Sequence, residues 1–236
     1  MNGSTSGRVY FEVIDYIKRL VREGKVHFGE KLPSEREMME TLGMSRNSIR
    51  EALRTLEHMG LVESRQGKGN FLVNHMGKSF TSVFSMLLLT GESSYLEISE
   101  LRRCLETEAL YLLHDRISKE RIQELGEIVG HMKTASAQER TKLDAKFHSI
   151  LVESSGNVLF CVLGQAMEEL YAAEISLAQD TMDSEELSRL AEVHGRILES
   201  IRSGDMNDGI RAIQEHYDMI DCKIQSDGKE KTSGER

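Results

Sequence analysis

The chain of 236 residues has a single proline, Pro33, and no tryptophan. So little proline leaves long helices uninterrupted, because proline removes a backbone donor and clashes with the preceding turn. Long hydrophobic runs are missing too. The longest, "VFSMLLL" at 83–89, falls far short of the ~20 apolar residues a membrane-crossing helix needs. The opening "MNGSTSGRVYF" has no basic segment followed by an apolar one. That layout argues against a secretory signal, and the expected location is the cytoplasm. Cysteine is scarce. Cys104, Cys161 and Cys222 are odd in number, widely spaced and form no C-x-x-C pair. They read as small buried hydrophobes in a reducing compartment.

What is present is ordinary for a soluble globular protein: 39% hydrophobic and 29% charged residues. The net charge of −9 is unevenly spread. Residues 1–75 carry 12 Lys and Arg against 10 Asp and Glu, a net of +2. Residues 76–236 carry 18 against 29, a net of −11. All the acidity sits in the second part. The first is free to present a local basic face, and nucleic-acid binding depends on that local field.

In "RVYFEVIDYIKRLVREG", Val9, Val13, Ile14, Ile17, Leu20 and Val21 fall on one helical stripe, and Gly24 stops it. Ser34 precedes Glu37 at capping-box spacing, so a short helix is predicted from about 35 to 42, ending at Gly43. Ser45 is a good N-cap for a further helix that runs to Gly60. Its inner stripe is Ile49, Leu53 and Leu56; Arg46, Arg50 and Arg54 recur on another face. Two short helices joined by "LGMS" are a helix-turn-helix pattern. Arg46, Asn47, Ser48 and Arg50 in the first turns suit a major groove, where arginine bonds guanine bidentately and a helix N-terminus favours phosphate. The runs "LVESR" and "NFLVN" around "QGKG" read as a hairpin with a basic tip, a wing. Taken alone, three arginines on a helix are a solvated face; the order helix, helix-turn-helix, hairpin favours the DNA reading.

The segments "LPSEREM", "SRNSIREALRTLEHMGLVE" and "RQGKGNFL" resemble the GntR family of bacterial transcription regulators over almost all of residues 8–75. The resemblance implies a winged helix-turn-helix DNA-binding domain at 8–75 in which Arg36, Arg46 and Arg50 contact double-stranded DNA. Ser45, Asn47, Ser48, Gln66 and Gly67 would support them.

Residues 76–79 read as a linker. Helical patterns then follow at about 79–90, 95–115, 119–133, 137–154, 158–180, 184–203 and 206–225, separated by "TGESS", "SSGN" and "SGD". The expected fold is mainly α: the winged domain, then an all-α antiparallel bundle of six or seven helices over 80–225. The last eleven residues, 226–236, lack apolar anchors and read as a disordered tail.

In the bundle, Asp144 and His148 lie one helical turn apart on one face. His194 stands eleven residues before Asp205 and His216 eleven after it. In an antiparallel hairpin, equal offsets put both at one height, ~16 Å from the turn. Three imidazole nitrogens and one carboxylate oxygen would suit Zn²⁺, Ni²⁺, Mn²⁺ or Fe²⁺. Periodicity levels the two histidines without making them converge, so polar decoration of core helices stands beside the metal reading.

Residues 78–225, with "ISELRRCLETEAL" and the set Asp144, His148, His194 and His216, look like the ligand-binding domain of the FadR branch of that family. Many members of this branch bind a divalent metal through one aspartate and three histidines, so the resemblance implies such a site here. It also implies that Arg102 faces an effector pocket, where a guanidinium can hold a carboxylate bidentately. An Arg102–Glu106 salt bridge is the alternative, or an addition. Asn157 is a second effector candidate, though turn formation explains it equally well. The expected function is a homodimeric regulator, a repressor, that reads a near-palindromic operator and responds to a small organic acid. A regulator with a structural or sensory metal is the alternative. A metalloenzyme fits less well, since no separate base lies in a recognisable motif.

Overall fold

The computed structural model describes residues 3–233, with side chains described from 10 to 226. The chain divides into two compact units, residues 1–80 and 81–236.

The first unit is built on α1 (Gly3–Arg22), α2 (Glu35–Leu42) and α3 (Arg46–His58). Its core takes Val13, Ile17 and Leu20 from α1, Met38 from α2, and Ile49, Leu53 and Leu56 from α3. Each such side chain stabilises by ~1.5–3 kcal/mol when fully buried. The start of α2 is held by a reciprocal cap: Ser34 Oγ accepts from the Glu37 N–H at 3.2 Å, and Glu37 accepts from the Ser34 N–H at 2.7 Å. Gly43 ends α2 in the left-handed conformation, φ 66°, which lets the chain turn tightly into α3. The wing is β1 (Val62–Arg65) paired antiparallel with β2 (Gly69–Leu72), Val62 opposite Leu72 and Arg65 opposite Gly69.

α4 (Met76–Thr90) begins in the last residues of the first unit, and the second unit continues as helices only: α5 (Tyr95–Leu113), α6 (Lys119–Met132), α7 (Ala137–Ser154), α8 (Val158–Asp180), α9 (Ser184–Ser203) and α10 (Met206–Ser233). α5 packs on α7, α8 and α10; α9 packs on α6 and α10. One apolar cluster includes Leu110, Phe147, Leu151, Ile197, Ile213 and Tyr217. Another includes Leu105, Val152, Met167, Tyr171 and Ile220. Gly209 lets α10 approach α9 closely, since a Cβ there would collide with the Ser200 side chain. No described helix is long and apolar enough to cross a membrane.

Three details depart from the sequence reading. Residues 76–79, read as a linker, form the first turn of α4; His75 O accepts from the Lys78 N–H at 3.1 Å, and no proline stops the helix there. α10 continues to Ser233, through most of the stretch read as a disordered tail. Extending an existing helix avoids the nucleation cost that a separate one would meet. Residues 234–236 lie outside the described residues. Cys104 and Cys222 are exposed rather than buried. Cys104 is two residues past the buried Arg102, more than half a turn around α5.

Candidate metal centre

Asp144 and His148 project from α7, His194 from α9 and His216 from α10. Each is only 1% exposed. Their candidate ligand atoms all lie within 4.8 Å of one another. The α9–α10 hairpin thus does more than level its two histidines: the rings of His194 and His216 have centroids 4.7 Å apart. Phe147 packs edge-on against His194 at 4.9 Å and closes the apolar side.

The atoms turned toward the centre are orphans. Both carboxylate oxygens of Asp144, Nε2 of His148, Nε2 of His194 and Nδ1 of His216 are buried without a hydrogen-bond partner. Asp144 Oδ1 is approached by His194 Nε2 at 3.2 Å and by His148 Nε2 at 3.9 Å, both without hydrogen-bond geometry. Buried polar groups in a fold nearly always have partners, and each exception asks for one. Five such atoms converging from three helices, three imidazoles and a carboxylate, are the donor set of a divalent metal. The residues present fit the group.

Other bonds fix the outward side of the rings. His148 Nδ1 lies 2.6 Å from Glu106 Oε2, and His194 Nδ1 lies 2.8 Å from the Leu190 carbonyl. Glu106, 2% exposed on α5, also accepts from Tyr217 OH at 2.6 Å. The charges follow. Burial would raise the Asp144 carboxyl, but the close approach of His194 and the charge of His148 hold it well below the usual carboxylate range. Burial works against a charged His148, yet Glu106 and Asp144 carry it above the ordinary imidazole value. Burial and the other two imidazoles push His216 far down, leaving it neutral.

Arg102 sits beside this centre, 3% exposed. Its Nη2 is 3.4 Å from Glu106 Oε1, a long contact, and its Nη1 has no partner. Burial disfavours its charge, but Tyr217, Glu106 and Asp144 offset this and keep the guanidinium charged. Arg102, Glu106 and His148 line a small cavity of about 20 Å³ together with the apolar Leu105, Val152 and Met167 and the acidic Glu168. Burial raises the Glu168 carboxyl, against the pull of Arg102 and His148. Asn157 does not line this cavity; as N-cap of α8 its Oδ1 accepts from Leu159 N–H at 3.0 Å and Phe160 N–H at 3.4 Å. Glu106 carries more than the expected ion pair with Arg102, and Tyr217 was not picked out from the sequence at all.

In the first unit, Arg46, Asn47 and Arg50 are exposed on the first turns of α3, and Ser45 caps them by accepting from the Ser48 N–H at 3.2 Å. Arg46 has no acidic partner among the described residues. Arg50 lies 3.6 Å from Glu35 and Arg36 2.9 Å from Glu40, both pairs open to solvent. Exposed pairs of this kind are worth ~0–1 kcal/mol, so they hold the two guanidinium groups only weakly. Gln66 and Gly67 form the exposed wing tip. Arg65 lies at its base, with its guanidinium 4.1 Å from the Phe71 ring.

The comparisons with known proteins match both parts of the chain. Residues 9–72 match the model of bacterial regulatory proteins of the gntR family, and residues 97–219 match the FCD domain. The HTH-type transcriptional repressor NanR of Klebsiella aerogenes is 28% identical over 228 residues, covering 94% of this chain and 87% of that protein. The HTH-type transcriptional regulator LutR of Bacillus subtilis is 26% identical over 211 residues, covering 86% and 94%. The solved structure of Streptococcus agalactiae GntR superposes with a TM-score of 0.71 at 26% identity, covering 94% of this chain and 99% of that one. The chain belongs to the GntR family of bacterial transcription regulators, among those whose second domain is an FCD domain.

Proposed function

We propose that this regulator is a cytoplasmic homodimeric repressor whose DNA affinity is set by a small carboxylic acid bound at a metal-containing pocket of the FCD domain. The observation that carries the reading is the cluster of orphaned polar atoms on the four ligand candidates, one of which, His148, shares the lining of a small cavity with Arg102, whose Nη1 is orphaned too. Asp144, His148, His194 and His216 would hold Zn²⁺, Ni²⁺, Mn²⁺ or Fe²⁺. The ion would supply a Lewis-acidic, positively charged anchor for an oxygen of the acid. Arg102 then offers its unpartnered Nη1 to the acid's carboxylate, a charge-assisted bond in a site sheltered from water.

The pocket's size makes such binding informative. A cavity of about 20 Å³ has room for roughly one water. An acid of several atoms therefore enters only if the wall gives way. Met167, an unbranched and adaptable side chain on α8, is part of that wall. Binding that needs a displaced wall discriminates between two conformations of the bundle, and only such a difference shifts an equilibrium. On the DNA side, Arg46 and Arg50 at the head of α3 read base edges, with Arg36, Asn47, Ser48 and the wing tip at Gln66 and Gly67 on the backbone. Two copies of α3 read the two halves of a near-palindromic operator.

The test is fluorescence anisotropy with a labelled fragment of the protein's own promoter region, using metal-loaded protein and a panel of short mono- and dicarboxylic acids. One or more acids should change the apparent DNA Kd by roughly 5–150-fold, the span of typical coupling energies. Chelation of the metal should remove that response. DNA affinity that no acid alters, in a protein that holds its metal, would leave the metal a structural or sensory role.

A further inference from the structure

We propose that Glu106 is the positioning residue of the metal centre: it keeps the proton of His148 on Nδ1, so that Nε2 meets the ion as a bare lone pair. The inference rests on the metal reading above. Glu106 reaches His148 from a different helix, with Oε2 2.6 Å from Nδ1. A buried carboxylate held by an arginine and a tyrosine acts only as an acceptor, so the proton between them belongs to the imidazole. The other oxygen of Glu106 is occupied, accepting from Tyr217 OH at 2.6 Å and facing Arg102 Nη2 at 3.4 Å. Among the described residues Glu106 is the one hydrogen-bond partner of His148 Nδ1. His148 Nε2 is left buried, without a partner, and turned toward Asp144.

The neighbouring ligand candidate shows the same arrangement with a different orienter. His194 Nδ1 donates to the carbonyl of Leu190, one turn earlier on its own helix, and its Nε2 is likewise orphaned. That restraint comes with the helix and survives any side-chain change. The restraint on His148 is a single side chain from α5, so it can be removed by substitution. Outer partners of this kind typically carry ~10–100-fold in metal affinity.

The substitution Glu106→Gln conserves shape and reverses the logic. Arg102 has only donors to offer, so the amide oxygen turns toward Arg102 and Tyr217. The amide NH₂ then faces His148 Nδ1 and donates to it, which forces the imidazole proton onto Nε2, the ligand atom. Zinc affinity, measured by competition with a chromogenic chelator, should fall roughly 10–100-fold in E106Q. The visible spectrum of the Co²⁺-substituted protein should change in band position or intensity, which a purely structural loss at fixed ligation would not produce. Folded E106Q with unchanged zinc affinity and an unchanged Co²⁺ spectrum would overturn the inference while leaving the metal reading intact. Wild-type protein that binds none of Zn²⁺, Ni²⁺, Mn²⁺ and Fe²⁺ would overturn both. If E106Q fails to fold by circular dichroism, long-range ¹H–¹⁵N correlation of the zinc-loaded wild type decides. A proton on His148 Nδ1 with Nε2 bound to zinc is the expected result, and the reverse assignment overturns the proposal.

Discussion

Replacing His194 with alanine is expected to abolish the metal-dependent part of the protein's thermal stability. An ion that binds only the folded chain, present at ~100–1,000 times its Kd, stabilises by ~2.7–4.1 kcal/mol. In a domain of this size that corresponds to a shift in Tm of roughly 5–15 °C. Wild-type protein should therefore melt lower by that amount after treatment with a chelator and recover when metal is restored. H194A should melt at one temperature in both conditions. The effect is large because the ligand atoms are already converged and desolvated: four residues at 1% exposure, with their inward atoms unpaired. The folded apo protein carries the cost of those orphaned groups, and an ion removes it. The affinity should weaken on acidification, because His148 is held above the usual imidazole range and must give up a proton to the ion. A wild-type Tm indifferent to chelator would count against the site.

The second large effect concerns DNA. Arg46→Ala should weaken binding to the promoter fragment by ~1–3 kcal/mol and relax preference at one base position in each half-site, if it reads a base edge. Arg36→Ala, at a residue placed on the backbone, should instead weaken binding to all sequences alike and make the log–log salt slope shallower by about 1. Anisotropy titrations at several salt concentrations, against promoter and scrambled DNA, separate the two. Arg46 is the sharper probe because it has no acidic partner among the described residues to complicate its loss. An R46A variant that binds promoter DNA as the wild type does would remove α3 from the interface.

How much of this was legible in the sequence depends on how local each relation is. Ser34 and Glu37 announce the start of α2 because a capping box spans three residues, and Ser45 announces α3 as a lone N-cap. His194 and His216 could be levelled because both lie an equal distance from one turn, which makes a long-range relation a local count. Asp144 and His148 share a helical face for the same reason. Glu106 and Tyr217 were beyond such counting. They meet across 111 residues of chain, and no periodicity brings α5 to α10. Asn157 shows the opposite failure: "SSGN" suits a ligand pocket and a helix cap equally, and the structure has its oxygen accepting from two backbone N–H groups. Residues 76–79 misled because glycine and serine mark linkers in composition, whereas their backbone simply joins the next helix.

The central claim is that Asp144, His148, His194 and His216 hold one divalent metal in the helical domain. The most direct measurement is elemental analysis by inductively coupled plasma mass spectrometry on protein purified without a metal-affinity step. Wild-type protein and the folded Asp144→Ala and His194→Ala variants are compared after exhaustive dialysis. The account predicts one equivalent of Zn, Ni, Mn or Fe per wild-type chain and none in either variant. A metal-free wild type that also takes up none of these ions on titration would contradict it.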